Sequence, residues 1–192
     1  MTLDQKTIKK VKKTFEHEDG CLKSLGTMNA SQYAALVDSE IKSMNTKQRA
    51  LSKLGVEIEE VSEIEPLHLS GYNYVSSDRW FLIDNGNWYT SEAHDTWLFF
   101  SESRVLWYKM IITMKTGAVK EETEEFSYKD ITSVSSSSAN WEKKIGKKVE
   151  THTVNEFAMK VYGEAYRATI YGNPNIEPQL KAMKNKIREK KE

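Results

Sequence analysis

Residues 96–114 read TWLFFSESRVLWYKMIITM, and this stretch decides the fold. Apolar residues follow one another without alternation on both sides of Glu102 and Ser103. Short runs of this kind are typical of strands that are buried on both faces. The two polar residues between them predict a tight hairpin. We therefore expect two central antiparallel strands, over 96–101 and 104–114.

The chain on either side of this hairpin is also typical of strands. After Pro66, aromatic and β-branched residues become common and the apolar period shortens toward two. The pattern predicts further strands over 67–75, 80–83, 88–91, 119–127, 132–138, 154–162 and 165–171. Asp84-Asn85-Gly86-Asn87 predicts a tight turn, because Asn and Gly tolerate positive φ. The mostly charged strand 119–127 should be exposed or lie at a sheet edge.

The residues before Pro66 predict helices instead. Ile8, Val11 and Phe15 recur at spacings of three and four, which places them on one helix face. A second helix should be capped by Asn29 or Ser31, and a third should run from 46 to a stop at Gly55. The sequence thus predicts a helical N-terminal extension over 1–62 and a β domain over 63–192.

A fourth predicted helix follows the last strand. Ile176, Leu180, Met183 and Ile187 are spaced by four, three and four residues, so they form one apolar stripe that must pack against another element. The expected fold class is α+β, with a helical N-terminal segment and an antiparallel β domain closed by a C-terminal helix.

Composition excludes several classes of function. The chain has 192 residues with 28 basic and 28 acidic side chains, and this zero net charge argues against a nucleic-acid partner. Its single cysteine, Cys21, cannot form an internal disulfide, which suits a reducing compartment. We expect no secretory signal and no transmembrane segment, since no run approaches about 20 apolar residues. The predicted location is the cytoplasm.

Residues that could carry chemistry are scattered. The four histidines, His17, His68, His94 and His152, are not at metal-ligand spacing from one another or from Cys21. Phosphate-binding glycine loops and the common hydrolase and metalloprotease motifs are missing from the sequence. We therefore expect a protein that is not an enzyme and that uses no metal or cofactor.

The most suggestive local feature is a predicted loop over 141–148. Its candidate contact residues are Trp141, Lys143, Lys144, Ile145, Lys147 and Lys148. Apolar residues flanked by lysines can bind an anionic membrane surface or an acidic protein partner. A solvated hairpin is the alternative. The lysine-rich N-terminal helix poses the same choice, because its apolar stripe could bind a membrane or a partner, or cover the β domain.

Three segments carry a resemblance to a known superfold. They are the runs 96–101 and 105–109, and 126–133, which reads FSYKDITS. With the hairpin 157–170 and the closing helix, they resemble the pleckstrin-homology-like (PH-like) superfold, in its bacterial PH-like and GRAM-like branches. The resemblance implies an antiparallel barrel capped by the C-terminal helix, and a binding domain without catalytic residues. Related domains bind phosphoinositides, peptides or partner proteins.

This sequence departs from that pattern at two places. No tryptophan lies in the predicted closing helix, and the first predicted hairpin has no basic phosphate-binding cluster. The resemblance therefore favours a protein partner or a membrane surface over a specific phosphoinositide.

A small-ligand-binding protein with an NTF2-like α+β cone, possibly an enzyme, is the alternative. In that case one apolar cavity would be lined by Trp97, Trp107, Tyr108, Phe157 and Tyr166. A deep pocket with His94 or Asp95 beside another titratable group would favour this alternative. A helix that plugs the sheet would favour the binding module.

Overall fold

The computed structural model describes residues 3–16, 27–74, 81–84, 87–145, 148–171 and 176–191. The fold is α+β, as predicted. The helices are α1 Gln5–Glu16, α2 Ala30–Ser43, α3 Thr46–Leu54 and α4 Ile176–Glu189, with short 3-10 turns at Ile58–Val61 and Tyr128–Asp130. The strands are β1 Leu67–Tyr72, β2 Phe81–Asp84, β3 Asn87–Thr90, β4 Glu92–Phe100, β5 Arg104–Thr113, β6 Ala118–Ser127, β7 Ile131–Ile145, β8 Lys148–Val161 and β9 Glu164–Ile170.

The strands form antiparallel sheets. One sheet has four strands in the order β1-β4-β5-β6, another has three in the order β7-β8-β9, and β2 pairs with β3. The predicted hairpin between the two central strands is closed by the amide of Ser101, which donates to the Arg104 carbonyl at 3.0 Å. Asp84 pairs with Asn87 at the predicted turn, whose residues 85 and 86 lie outside the described part.

Strands β4 and β5 lie in the middle of the four-stranded sheet and are mostly buried on both faces, which confirms the central position predicted for them. Leu106, Tyr108 and Met110 of β5 belong to a core shared with α1, α2 and α3. Val105 and Trp107 belong to a second core, shared with the three-stranded sheet and α4. Successive strand side chains point to opposite faces, so one apolar run supplies both cores.

The N-terminal helices cover the first face of this sheet. Ile8, Val11 and Phe15 are buried, so the apolar stripe of α1 packs on the protein's own core. Helix α2 begins with a capping box, in which Asn29 and Gln32 each accept from the other's backbone amide. Helix α3 ends at Gly55, whose φ of 67° is the left-handed cap expected of glycine.

Helix α4 closes the second face. Ile176, Leu180, Met183 and Ile187 are all buried in the second core, which confirms the predicted stripe. Burying one such side chain contributes about 1.5–3 kcal/mol, so this stripe fixes the helix against the sheets.

Strands β1 and β9 bring the two sheets into contact. The amide of Tyr171 donates to the Ser70 carbonyl at 3.0 Å, and a side chain at Gly71 would meet the Thr169 hydroxyl at 2.5 Å. Within the described residues no ladder joins β1 to β9 or β6 to β7, so the sheets do not close into one barrel. The N-terminal helical elements end at Val61 and β1 begins at Leu67; the domain division at 62 and 63 stays a prediction.

The segment 141–148 is not the loop that the sequence predicts. Strand β7 continues to Ile145 and β8 begins at Lys148, so only residues 146 and 147 separate them. The ladder between these strands shifts register between Ile131 and Ser133 and then runs without a further shift to the pair Ile145–Lys148. Cross-strand pairing extends the serine-rich run into a long ribbon.

Candidate functional site

A polar cleft opens between the two sheets. The second core fills the inter-sheet space near Phe100 and Val105. Farther along β4 and β5 the space widens into a cleft of about 450 Å³. Its lining includes Asn73, His94, Trp107, Lys109, Glu122, Glu156 and residues 165–169 of β9. This volume lies within the usual range for small-ligand sites.

Lys109 is one of two cations that line this cleft, with Arg167. Its ammonium donates to the Arg167 carbonyl at 2.8 Å. Burial lowers the pKa of Lys109, although Glu122 and Glu156 oppose the shift. Both carboxylates bind other cations. Glu122 pairs with Lys120 at 2.6 Å, and Glu156 pairs with Arg167 at 2.5 Å.

His94 forms part of the cleft floor, and both of its ring nitrogens lie within hydrogen-bond distance of threonine groups. Its Nε2 lies 2.6 Å from the Thr169 hydroxyl and accepts from the Thr169 amide at 3.0 Å. Its Nδ1 lies 3.2 Å from the Thr96 hydroxyl. Burial lowers the pKa of His94 to about 3. The imidazole is therefore neutral near pH 7, and it links β4 to β9.

The fold has both a pocket that contains His94, as expected of a small-ligand protein, and a helix that closes the sheets, as expected of a binding module. The cleft brings His94 together with Lys109, Glu122 and Glu156, which favours a ligand site. Helix α4 packs over the other end of the inter-sheet core, which favours a binding module. Sequence reasoning singled out His94 but missed Lys109 and Thr169, because the β1–β9 contact that brings Thr169 to His94 joins residues far apart in the chain.

The five aromatic residues expected in one cavity lie on two faces of the sheet. Trp107 and Tyr166 line the cleft, and Phe157 is buried in the second core, to which Trp107 also belongs. Trp97 and Tyr108 belong to the core on the helix side. The prediction of one aromatic cavity is therefore wrong, because neighbouring strand positions face opposite ways.

Asp95 organises a second polar cluster, on the helix side of the sheet. Its carboxylate lies 2.6 Å from Nε2 of His68 and accepts from the Thr46 hydroxyl at 2.5 Å. The Trp97 indole N–H donates to the same carboxylate at 3.0 Å. The His68 ring stacks on Trp97 with centroids 4.1 Å apart. Since the carboxylate is fully buried and bonded, this cluster fastens the start of α3 to β4.

A groove lies between β7 and α4. It encloses about 260 Å³ and is lined by residues 131–134 of β7 together with Lys184, Ile187, Arg188 and Lys191. Lys191 donates to the Ile131 carbonyl. No ion pair in the described part of the chain involves Lys184 or Arg188, whereas Lys186 binds Glu63 at 2.5 Å. One side of α4 thus carries cations without carboxylate partners.

The two outer strands β6 and β7 differ in charge. Strand β6 carries five charged residues between Lys120 and Glu125, which confirms the predicted charged edge. Strand β7 carries none between Ile131 and Trp141, and residues 135–140 are exposed. Charges on an edge strand discourage pairing with another chain, and β7 lacks them over this length.

The predicted contact residues at 141–148 are only partly described. Trp141 is half-buried, and its ring lies 6.5 Å from that of Tyr74. Lys147 lies outside the described residues, as do the side chains of Lys143, Lys144, Ile145 and Lys148. Contact of this hairpin with a membrane or a partner stays a prediction.

The lysines of α1 remain at the surface once its stripe is buried. Lys6, Lys9, Lys12 and Lys13 are exposed, and Lys10 is half-buried. Among the described residues no group of three acidic, histidine or cysteine side chains could hold a metal ion. The described helices include none with the length and apolar character needed to cross a bilayer.

Comparison with known proteins identifies no relative. The chain matches no protein-family model, no curated protein and no solved structure. The functional argument therefore rests on the geometry of the cleft, the groove and the β7 edge.

Proposed function

We propose that the protein is a non-enzymatic, PH-like binding module that takes up an extended acidic segment of a partner protein along β7. The element order supports the PH-like assignment, because a four-stranded sheet is followed by a three-stranded sheet and then by a helix that closes the core between them. The hairpin β2–β3 and the helices α1–α3 are additions to that order. Related PH-like domains bind peptides and proteins, which agrees with this role.

The single observation that carries the proposal is that β7 has no charged residue between Ile131 and Trp141 and lies beside Lys184 and Arg188, for which the described residues contain no ion pair. An outer strand offers backbone amides and carbonyls to an added strand. Strand β7 is held in place by its ladder with β8 and by side-chain bonds such as the one that the Ser138 hydroxyl donates to Asn155 at 2.6 Å. A partner strand could therefore bind without ordering a flexible element first.

The charge of the groove selects the partner. Lys184, Arg188 and Lys191 line it, and none of its described lining residues is acidic. Ile187 and Val134 supply an apolar floor. A strand added to β7 turns every second side chain toward α4, so a segment that alternates acidic and apolar residues would present all of its carboxylates to the cations of α4.

Strand addition can be tested with the labelled peptide (Glu-Val)₄-Glu, and fluorescence anisotropy would report its binding. We expect saturable binding that is at least about tenfold tighter than binding of (Lys-Val)₄-Lys, a difference of about 1.4 kcal/mol. Two further peptides have the same sequence: one is N-methylated at every valine amide, and the other at every glutamate amide. Because alternate amides of an added strand face its neighbour, one of these two peptides should lose binding and the other should keep it.

Matched protein variants separate the charge from the edge. Arg188→Glu should weaken peptide binding about tenfold, whereas Lys181→Glu makes the same charge change at another exposed position of α4 and should leave it unchanged. Equal affinity of both methylated peptides and the parent would show that no strand is added. Equal binding by the two variants would remove α4 from the site.

The membrane alternative has its own measurement. Flotation with vesicles of phosphatidylcholine and phosphatidylglycerol would compare the wild type with a variant in which Lys143, Lys144, Lys147 and Lys148 are reversed to Glu. Flotation that this variant loses would favour a membrane-binding hairpin. No flotation of the wild type would leave the protein partner as the proposed ligand.

A further inference from the structure

We infer that the cleft between the sheets is a second binding site, which takes a small organic monocarboxylate at Lys109. This site lies apart from the β7–α4 groove and would be independent of a partner protein. The ligand's carboxylate would accept from the Lys109 ammonium, and its apolar body would pack on Tyr166.

The pairing of charges in the cleft leaves one cation without a carboxylate partner. The charged lining residues are Lys109, Glu122, Glu156 and Arg167. Glu156 and Arg167 bind each other, and Glu122 binds Lys120, which lies outside the lining. Among the described ion pairs none involves Lys109, and its recorded bond is to a backbone carbonyl. An ammonium has three N–H donors, so Lys109 can still donate to a ligand.

Glu122 is placed to pair with Lys109 but forms its ion pair elsewhere. The two residues are directly opposite each other on β5 and β6, the arrangement in which opposite charges usually attract. Glu122 nevertheless turns to Lys120. Lys109 instead reaches across the inter-sheet space to the Arg167 carbonyl of β9, so its charge is held inside the cleft.

The neighbouring carboxylates limit the charge of the ligand. Glu122 and Glu156 both raise the pKa of Lys109, so both act on the same ammonium. A dianion such as inorganic phosphate would be repelled by these two groups and would find one available cation. A single carboxylate matches one ammonium and adds the least repulsion.

Tyr166 supplies a fixed apolar wall. Its ring packs on Phe126 with centroids 4.6 Å apart and on Trp107 at 5.9 Å. Its hydroxyl donates to Glu164 at 3.3 Å. A planar apolar group beside this ring would gain contact area without moving the wall.

Phenylacetate is a suitable probe because it combines one carboxylate with one aromatic ring. Phenylacetamide is its neutral match, and phenethylammonium reverses the charge. In NMR titrations of the full chain, we expect phenylacetate to shift the backbone amide resonances of residues 165–169. It should bind at least about tenfold tighter than phenylacetamide or phenethylammonium. The pKa of the Lys109 ammonium, followed at its Cε carbon, should rise when phenylacetate binds.

Lys109→Met removes the charge and keeps the length of the side chain, and we expect it to weaken phenylacetate binding at least about tenfold. Lys181→Met, on the exposed side of α4, should bind as the wild type does. The inference is overturned if phenylacetate and phenylacetamide bind the wild type equally, or if no saturation is reached by about 20 mM. These wild-type results decide the question even if Lys109→Met fails to fold, and the β7 peptide measurements are unaffected by them.

Discussion

Gly71→Ala tests the contact between β1 and β9. A Cβ at Gly71 would lie 2.5 Å from the Thr169 hydroxyl and 3.3 Å from Cβ of Tyr171. The Thr169 hydroxyl cannot turn away freely, because it donates to the Tyr72 carbonyl at 2.8 Å and contacts His94. The added methyl group must therefore break these bonds or push the sheets apart.

The expected cost follows from these two effects. Overpacking costs roughly 1–3 kcal/mol, and each lost hydrogen bond about 1 kcal/mol. We expect Gly71→Ala to lower the free energy of unfolding by about 2–4 kcal/mol, measured by urea denaturation with tryptophan fluorescence. Gly55→Ala is the control: no atom lies within 4 Å of the added Cβ, so it should cost only about 1–2 kcal/mol of left-handed strain.

A double variant identifies the clashing atom. Thr169→Ala removes the hydroxyl, so Gly71→Ala should cost at least about 1 kcal/mol less in that background than in the wild type. The reasoning fails if the two substitutions are additive, or if Gly71→Ala alone costs less than about 0.5 kcal/mol.

Three further predictions concern other parts of the fold. Since burial lowers the pKa of His94 to about 3, the unfolded chain binds a proton below pH 6.5 that the folded protein does not, and stability should fall as the pH is lowered. His94 should contribute a slope of about 1.4 kcal/mol per pH unit to the free energy of unfolding between pH 6 and 4. His94→Gln should lack this contribution in urea titrations at several pH values. Asp95→Ala should cost about 2–4 kcal/mol by thermal unfolding, because the buried Thr46 hydroxyl loses its acceptor and the Trp97 N–H keeps only the Thr46 oxygen; a cost equal to that of Asp38→Ala, at an exposed position of α2, would contradict the cluster. Met183→Ala should cost about 2–5 kcal/mol through a cavity under α4, while Lys181→Ala should stay within about 0.5 kcal/mol; equal values would mean that α4 is not docked.

Local patterns predicted the elements well where they repeat over several residues. The stripe of α4 and the unbroken apolar runs of β4 and β5 were read correctly, because their spacing reports which side chains must leave water. The segment 141–148 was predicted as a loop, with a hairpin as the alternative, and the structure has the hairpin. Four lysines and a glycine suggested a loop, but pairing with β8 stabilises this part of β7 whatever its charge.

The sites were less predictable than the elements. His94 was noticed because histidine is chemically versatile, yet its partner Thr169 lies 75 residues away in the chain. The unpaired charge of Lys109 also has no local signature, since its cross-strand neighbour Glu122 would be expected to neutralise it. The aromatic residues were assigned to one cavity although Trp107 and Tyr108 are neighbours on β5, where the alternation of side chains already places them on opposite faces of the sheet.

The amino-acid sequence by itself determined the α+β class, the central hairpin, the buried stripe of α4 and the charged edge of β6. These follow from periodicity, since a helix or strand must turn its apolar residues away from water wherever it lies. The tertiary structure alone decided that one sheet serves two cores, that β1 touches β9, and that Lys109 enters a cleft in which none of the described carboxylates pairs with it. Those outcomes depend on which distant strands meet, and the energy of each meeting is shared between residues that have no regular spacing in the chain.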